Sequence, residues 1–216
     1  MADLVLCLPS TSAQIATQPV ADAVILDGTA VMVSLKILEG KSIYSTYGEG
    51  ILSSTERTEM RLLLPCKHEE EDTRLMVHVL DAASSGHRRN RIRNNDTDVV
   101  VLAISVASTL PTDELWITYG SGKNVRNTPA LAITMSLGPD KASTLSMFHA
   151  PTRCDTVSFF GGCGKKTARD VWNVFPQLTP VLKVLKALPQ EIAEECMAVL
   201  EKFVVLTYDR KATLRK

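Results

Sequence analysis

The sequence carries no excess charge: Lys and Arg together number 24, Asp and Glu also number 24, and the formal net charge is zero. That excludes a strongly cationic coat that would hold nucleic acid by charge alone, although a locally basic groove stays open. Long apolar runs are missing as well. No segment reaches the roughly 18 apolar residues a membrane span requires, so no membrane partner is expected. The opening "MADLVLCLPS" has an acid where a secretory signal has base, and its apolar run is short. Five cysteines, an odd number without framework spacing, argue for free thiols in a reducing compartment. Cytosol or nucleus is the expected location. No Gly-x-Ser-x-Gly elbow occurs, which disfavours a Ser-His-Asp hydrolase.

A nucleotide-binding P-loop is also lacking, although "CDTVSFFGGCGKKTARDVW", Cys154 to Trp172, looks like one. A P-loop needs Gly, four residues, then Gly-Lys-Ser/Thr, so that ammonium and hydroxyl meet one nucleotide and its magnesium. Here Gly164-Lys165 is followed by Lys166, and Thr167 comes one residue late. No apolar strand precedes the loop, because Asp155, Thr156 and Ser158 interrupt the run. ATP is therefore not expected. Backbone amides at a helix start with two ammonium groups suit a phosphate of any kind, and a plain glycine-rich turn capping a helix is the competing reading.

What is present fits one domain, since 216 residues bury a sizeable core. "ADAVILDG" reads as a short buried strand, Ala23 to Leu26, delivering Asp27 and Gly28 at its end. "AVMVSLKIL" follows as a helix-like run, and residues 40–61 read as an irregular polar connection. From Glu69 to Ala83 the pattern is helical, with Leu75, Met76, Val79, Leu80 and Ala83 in one stripe and Gly86 closing it. "GHRRNRIR", Gly86 to Arg93, reads as a basic solvated loop able to touch phosphate. "RIRNNDTDVVVLAISVAS" holds a strand, an acidic turn and a buried apolar run, and "LWITYG" is a strand ended by Gly120. The rest, from Pro129 to about Val205, is mostly helical with breaks at Pro139, Pro151, Pro176 and Pro180. Strands alternating with helices predict α/β with a parallel sheet. Trp116 and Trp172 read as core residues rather than base-stacking platforms.

Acids recur at the ends of these elements. Asp27 ends the first strand, and Asp155 precedes the glycine loop. Glu70 and Asp72 open the helix of "HEEEDTRLMVHVL", where Asp72 lies one turn before Leu75 and Met76 on the core-facing stripe. An acid there is costly unless paired, whereas a plain charge run would simply complement the helix dipole. Asp96 and Asp98 sit where a polar turn meets an apolar run, a pattern that an Asx turn or N-cap explains equally well. A parallel sheet gathers such positions at the carboxyl edge of its strands. Carboxylates packed there repel, and Mg²⁺ or Mn²⁺ relieves that repulsion. Cys66, His68, Cys154 and Cys163 do not have structural-zinc spacing.

The order of "ILDG", "HEEEDTR", "DTDVVVL", "LW", "FHAPTRCDTVSFFGGCGKKTARDVW" and "LEKFVVLTYDR" resembles a mostly uncharacterised, multi-copy family of animal proteins. Its pattern reads HEEADTR, DTDVVVL, then FHA-TGCDTVS-F-GKGKKTAW, and the likeness runs from about Asp22 to Arg210 with one large gap. That family in turn resembles the flap-endonuclease branch of PIN-like nucleases. The resemblance implies a parallel-sheet α/β core over residues 21–150, after a flexible stretch 1–20. A glycine-loop helical hairpin and C-terminal helices would fill 151–216. It further implies a metal site of Asp27, Glu70, Asp72, Asp96, Asp98 and Asp155 holding Mg²⁺ or Mn²⁺ for phosphodiester hydrolysis of DNA or RNA. Gly161, Gly162, Gly164, Lys165 and Lys166 would grip the nucleic-acid backbone.

Three departures from the pattern bear on activity. Glu71 replaces the usual Ala between the paired acids, and Arg153 replaces the Gly before the last Asp. The long stretch between first strand and HEEADTR helix is reduced to little more than residues 53–61. The pattern is thus that of a truncated or degenerate copy, and a catalytically inactive module binding nucleic acid or protein stands beside the nuclease reading.

Overall fold

In the computed structural model the described residues are 18–26, 44–47, 50–53, 71–120, 125–152 and 164–209. The strand β1, Ala23–Leu26, spans the residues its sequence predicts. It pairs in parallel with β4, Arg89–Arg93, in the register Ala23 to Asn90 through Leu26 to Arg93. β4 pairs in parallel with β5, Glu114–Tyr119, and β5 pairs antiparallel with β6, Arg126–Pro129. The result is a four-stranded, mostly parallel sheet in the order β1-β4-β5-β6, part of a mixed α/β architecture. Antiparallel β6 was not legible in the sequence. It lies at the edge, where Pro129 can end a strand without a missing N–H interrupting the ladder.

Two stretches read as loops contain strands. Residues 40–61 contain an antiparallel hairpin, β2 Tyr44–Tyr47 and β3 Gly50–Ser53, in place of a wholly irregular connection. Its two strands form a separate sheet and add nothing to the main one. "GHRRNRIR" is not a solvated loop throughout either: its last five residues are β4, in the middle of the sheet, so the strand read from Arg91 onward begins two residues earlier. Polar composition concealed its first residues, because alternation carries only Asn90 and Ile92 onto the helix-covered face.

The helix α1, Glu71–Ser84, ends in a turn at Gly86, whose φ of +92° suits glycine, and leads directly into β4. Its buried stripe is Leu75, Val79, Ala82 and Ala83, rotated from the expected one, with Leu80 left exposed. The helix α2, Thr97–Val106, takes the run "TDVVVLAISV". Three consecutive valines favour a strand by propensity. A capped start and burial between α1 and the helices that follow β6 make it a helix that is apolar nearly all round. Those following helices are α3 Ala130–Leu137, α4 Pro139–Ser143 and α5 Leu145–His149. α6 Lys165–Val174, α7 Leu178–Lys186 and α8 Glu194–Tyr208 complete the chain as described. Pro180 is no break: it lies in the first turn of α7, where its missing N–H costs nothing.

One core joins both parts. Ile25, Ile92 and Ile117 point from the sheet into a cluster that continues through Val99, Ile104, Leu145 and Phe148 to Trp172, Leu178 and Phe203. Phe148, 1% exposed, stacks on Trp172 at 4.4 Å between centroids and meets Phe203 edge-on at 6.1 Å. Trp172 is buried as expected, whereas Trp116 is only half-buried and donates to Glu114 Oε2 at 2.8 Å. No helix among the described residues is long and apolar enough to cross a membrane.

Candidate functional site

The turn "NNDTD" at the end of β4 is built almost wholly from side chains serving backbone. Asn94 N–H donates to Thr118 O at 3.2 Å, and the Asn95 Oδ1 accepts from Gly120 N at 3.1 Å, tying the ends of β4 and β5 together. The Asn94 Oδ1 accepts from Asp96 N. Asp96 is the N-cap of α2, its Oδ1 accepting from Asp98 N at 2.9 Å. The capping reading of Asp96 is therefore correct, and it stands at the carboxyl edge of the parallel strands.

Asp98, in the first turn of α2, faces a residue the sequence reading did not single out. His149, the last residue of α5 and 4% exposed, brings its Nε2 to 2.8 Å from Asp98 Oδ1. On the other side of the ring, Lys165 Nζ lies 3.4 Å from His149 Nδ1. Lys165 is the first residue of α6 and only 9% exposed. An ammonium can only donate, so Nδ1 accepts; the ring proton then resides on Nε2 and is donated to the carboxylate. Burial, the largest influence, holds His149 below the ordinary histidine range, Lys165 pulls the same way, and Asp98 opposes both. A neutral imidazole thus links an acid at one helix start to a cation at another. The packing of Phe148 one residue earlier fixes where the ring stands.

The predicted site residues divide accordingly. Asp98 and Lys165 meet on His149, Asp96 caps the same helix start as Asp98, and Gly164 is the N-cap of α6 beside Lys165. Lys165 is turned inward onto the ring, while Lys166 and Gly164 are exposed. Asp72 is half-buried in the first turn of α1. Because α1 ends where β4 begins, its start lies toward the carboxyl edge of the sheet, the edge that carries Asp96 and Asp98. Asp27, Glu70, Asp155, Gly161 and Gly162 lie outside the described residues. Among the described residues no three His, Cys, Asp or Glu side chains converge as a metal-holding group. The two described carboxylates at the turn are hard oxygen donors of the kind Mg²⁺ and Mn²⁺ take, and the hydrogen bond from His149 orients one of them as a metal ligand is usually oriented.

His149 had one available signal: the "FHA" of the motif series puts a histidine just before the "CDTVS" acid. Compared with protein families, with curated proteins and with solved structures, the chain finds no match.

Proposed function

We propose that the chain is a PIN-like domain whose sheet-edge site binds the phosphodiester backbone of DNA or RNA and hydrolyses it with Mg²⁺ or Mn²⁺. The observation that carries this reading is the meeting of the Asp96–Asp98 turn with the Gly164–Lys165 helix start at one buried imidazole. Two motifs more than 60 residues apart in sequence share one edge of a parallel sheet, where α/β proteins bind their ligands. Helix starts there favour phosphate oxygens, and an acid pair favours divalent cations. Asp96 and Asp98 would hold the metal together with acids of the other motifs. Bound there, the ion would neutralise charge on the attacking and leaving oxygens of a phosphodiester. Asp98 is oriented by His149, and Lys165 contributes positive charge from behind the ring.

A specific observation favours a second reading, a module that binds nucleic acid or protein without cutting. Asp98 already has an imidazole donor, and the nearby ammonium offsets its charge without any metal. Titration of Mn²⁺ into the purified chain by calorimetry, with Asp96→Ala as control, tests the metal site. Cleavage of flapped and single-stranded substrates in Mn²⁺ then separates the readings. Saturable binding with cutting supports the nuclease, binding without cutting supports the inactive module, and no Asp96-dependent binding removes the metal site.

A further inference from the structure

β4 carries three arginines, Arg89, Arg91 and Arg93, on the face of the sheet away from the isoleucine core. The first has its acid: Arg89 Nη2 lies 2.6 Å from Asp22 Oδ1 and Nε 3.1 Å from the same oxygen. The other two have none among the described residues. Arg91 is 6% exposed, and its terminal nitrogens meet only the Gln18 side-chain oxygen, in the amide orientation that satisfies both Gln18 atoms. Its Nε is buried with no acceptor. Arg93, half-buried, donates from Nη2 to Gly120 O at 2.5 Å, while its Nη1 is buried with no acceptor. Two like charges therefore stand two residues apart on one strand, each with an orphaned donor.

A guanidinium cannot relieve such a position by losing its proton, as a lysine or histidine would. Burying it without an anion is costly, and here the cost is incurred twice. Burial first, and the neighbouring Arg93 second, already depress the basicity of Arg91. We propose that Arg91 and Arg93 form a binding site for a phosphate-type dianion, either free phosphate or the phosphomonoester group of a larger molecule. One carboxylate would offset only one of the two charges, whereas a dianion offsets both. The side chains leave the strand roughly 7 Å apart, within reach of a common ion for arms of this length. A tetrahedral oxyanion presents oxygens in several directions. It can accept from Arg91 Nε and Arg93 Nη1 while the bonds to Gln18 and Gly120 persist. Val24 and Leu26 of β1 and Trp116 and Thr118 of β5 flank the pair in register. Half-buried Arg93 marks the side of entry. The site is separate from the Asp98–His149–Lys165 array and does not depend on its function.

The test is titration calorimetry of inorganic phosphate and of sulfate into the full chain, with acetate and sodium chloride matched in ionic strength. Phosphate and sulfate bind with one saturable site, acetate and chloride do not, and Arg93→Gln weakens binding roughly tenfold or more by removing a charge-assisted donor. Lys165→Met, at the helix start of the edge site, leaves it unchanged, which separates this site from the edge site. A nucleoside 5′-monophosphate that competes with phosphate, while its nucleoside does not, identifies the phosphomonoester source. If only inorganic phosphate and sulfate bind, the free ion is the occupant. Arg91→Met loses binding and raises the melting temperature of the anion-free chain; if that variant does not fold, Arg93→Gln alone decides. Equal binding of acetate, no binding beyond the salt control, or undiminished binding by Arg93→Gln overturns the proposal.

Discussion

His149→Ala is the substitution that most directly probes the array at the sheet edge. It deletes the donor to Asp98 Oδ1 at 2.8 Å and the acceptor of Lys165 at 3.4 Å, at a position 4% exposed. Losing a buried hydrogen bond to a charged group costs about 1.5–3 kcal/mol, and truncating a packed ring adds a cavity contribution of about 1 kcal/mol or more. Taken together, roughly 3 kcal/mol is expected, or a fall in melting temperature of roughly 6–12 °C for a chain of this size. Denaturant melts of His149→Ala, Lys165→Met and the double variant measure it as a cycle. Lys165→Met removes the buried ammonium while keeping its packing volume, so His149→Ala should cost less in that background. A coupling of about 1 kcal/mol is expected for groups in contact. A loss below about 0.5 kcal/mol, or strict additivity in the cycle, would refute the placement of the ring between acid and ammonium.

Acid should destabilise the fold above the range where carboxylates titrate. Burial lowers His78 and His149 below the ordinary histidine value, so the unfolded chain binds their protons more readily. Stability is then fully present above pH about 6.5 and falls as pH drops through that value, and a flat urea midpoint from pH 7 to 5 would contradict it. For the metal site, Mg²⁺ or Mn²⁺ at about ten times its dissociation constant should stabilise the chain by roughly 1.4 kcal/mol, a shift of a few degrees that Asp96→Ala abolishes in a thermal melt. Gly86→Ala, at φ +92° with open space where a Cβ would stand, should cost about 1 kcal/mol from backbone strain alone, read as a urea-midpoint shift without change in slope. Phe148→Ala should cost about 3–5 kcal/mol and also lower the affinity for Mn²⁺, because the ring that stacks on Trp172 holds the adjacent His149 in place.

Legibility in the sequence followed how local the determining physics was. β1 was readable to the residue because four apolar residues between an Asp and an Asp-Gly leave little choice. The N-cap at Asp96 was readable for the same reason: its partner, the amide of Asp98, is two residues away. Helical spacing put Asp72 on the core-facing stripe; it is half-buried, as are Thr73 and Arg74 beside it, so its burial alone does not single out that face. Long-range pairing was not readable. The end of β4 was read as a strand ahead of the acidic turn, but Arg89 and Asn90 passed for a solvated basic loop, because strand assignment rests on apolar alternation and only Asn90 and Ile92 face the core. The buried imidazole was missed because Asp98 and His149 are 51 residues apart, and no spacing rule connects them.

The two sets of polar residues in the middle of the chain solve one electrostatic problem in opposite ways. On reaching the carboxyl edge, the chain must bury polar groups beside a sheet whose other face is isoleucine. At the Asp96–Asp98 turn the solution is internal, since each side chain serves a backbone amide or an imidazole, and the ammonium of Lys165 closes the line. In β4 the solution is incomplete, because Asp22 satisfies Arg89 while Arg91 Nε and Arg93 Nη1 are left without acceptors. A strand of purely structural purpose would gain from valine or threonine at positions 91 and 93, which match β propensity and carry no desolvation cost. Retaining two permanent cations there makes sense when an anion visits. On that argument Arg91→Val with Arg93→Thr should make the anion-free chain more stable than the natural one. A lower urea midpoint for that double variant, in buffer free of phosphate and sulfate, would mean that the arginines hold the sheet by contacts of their own.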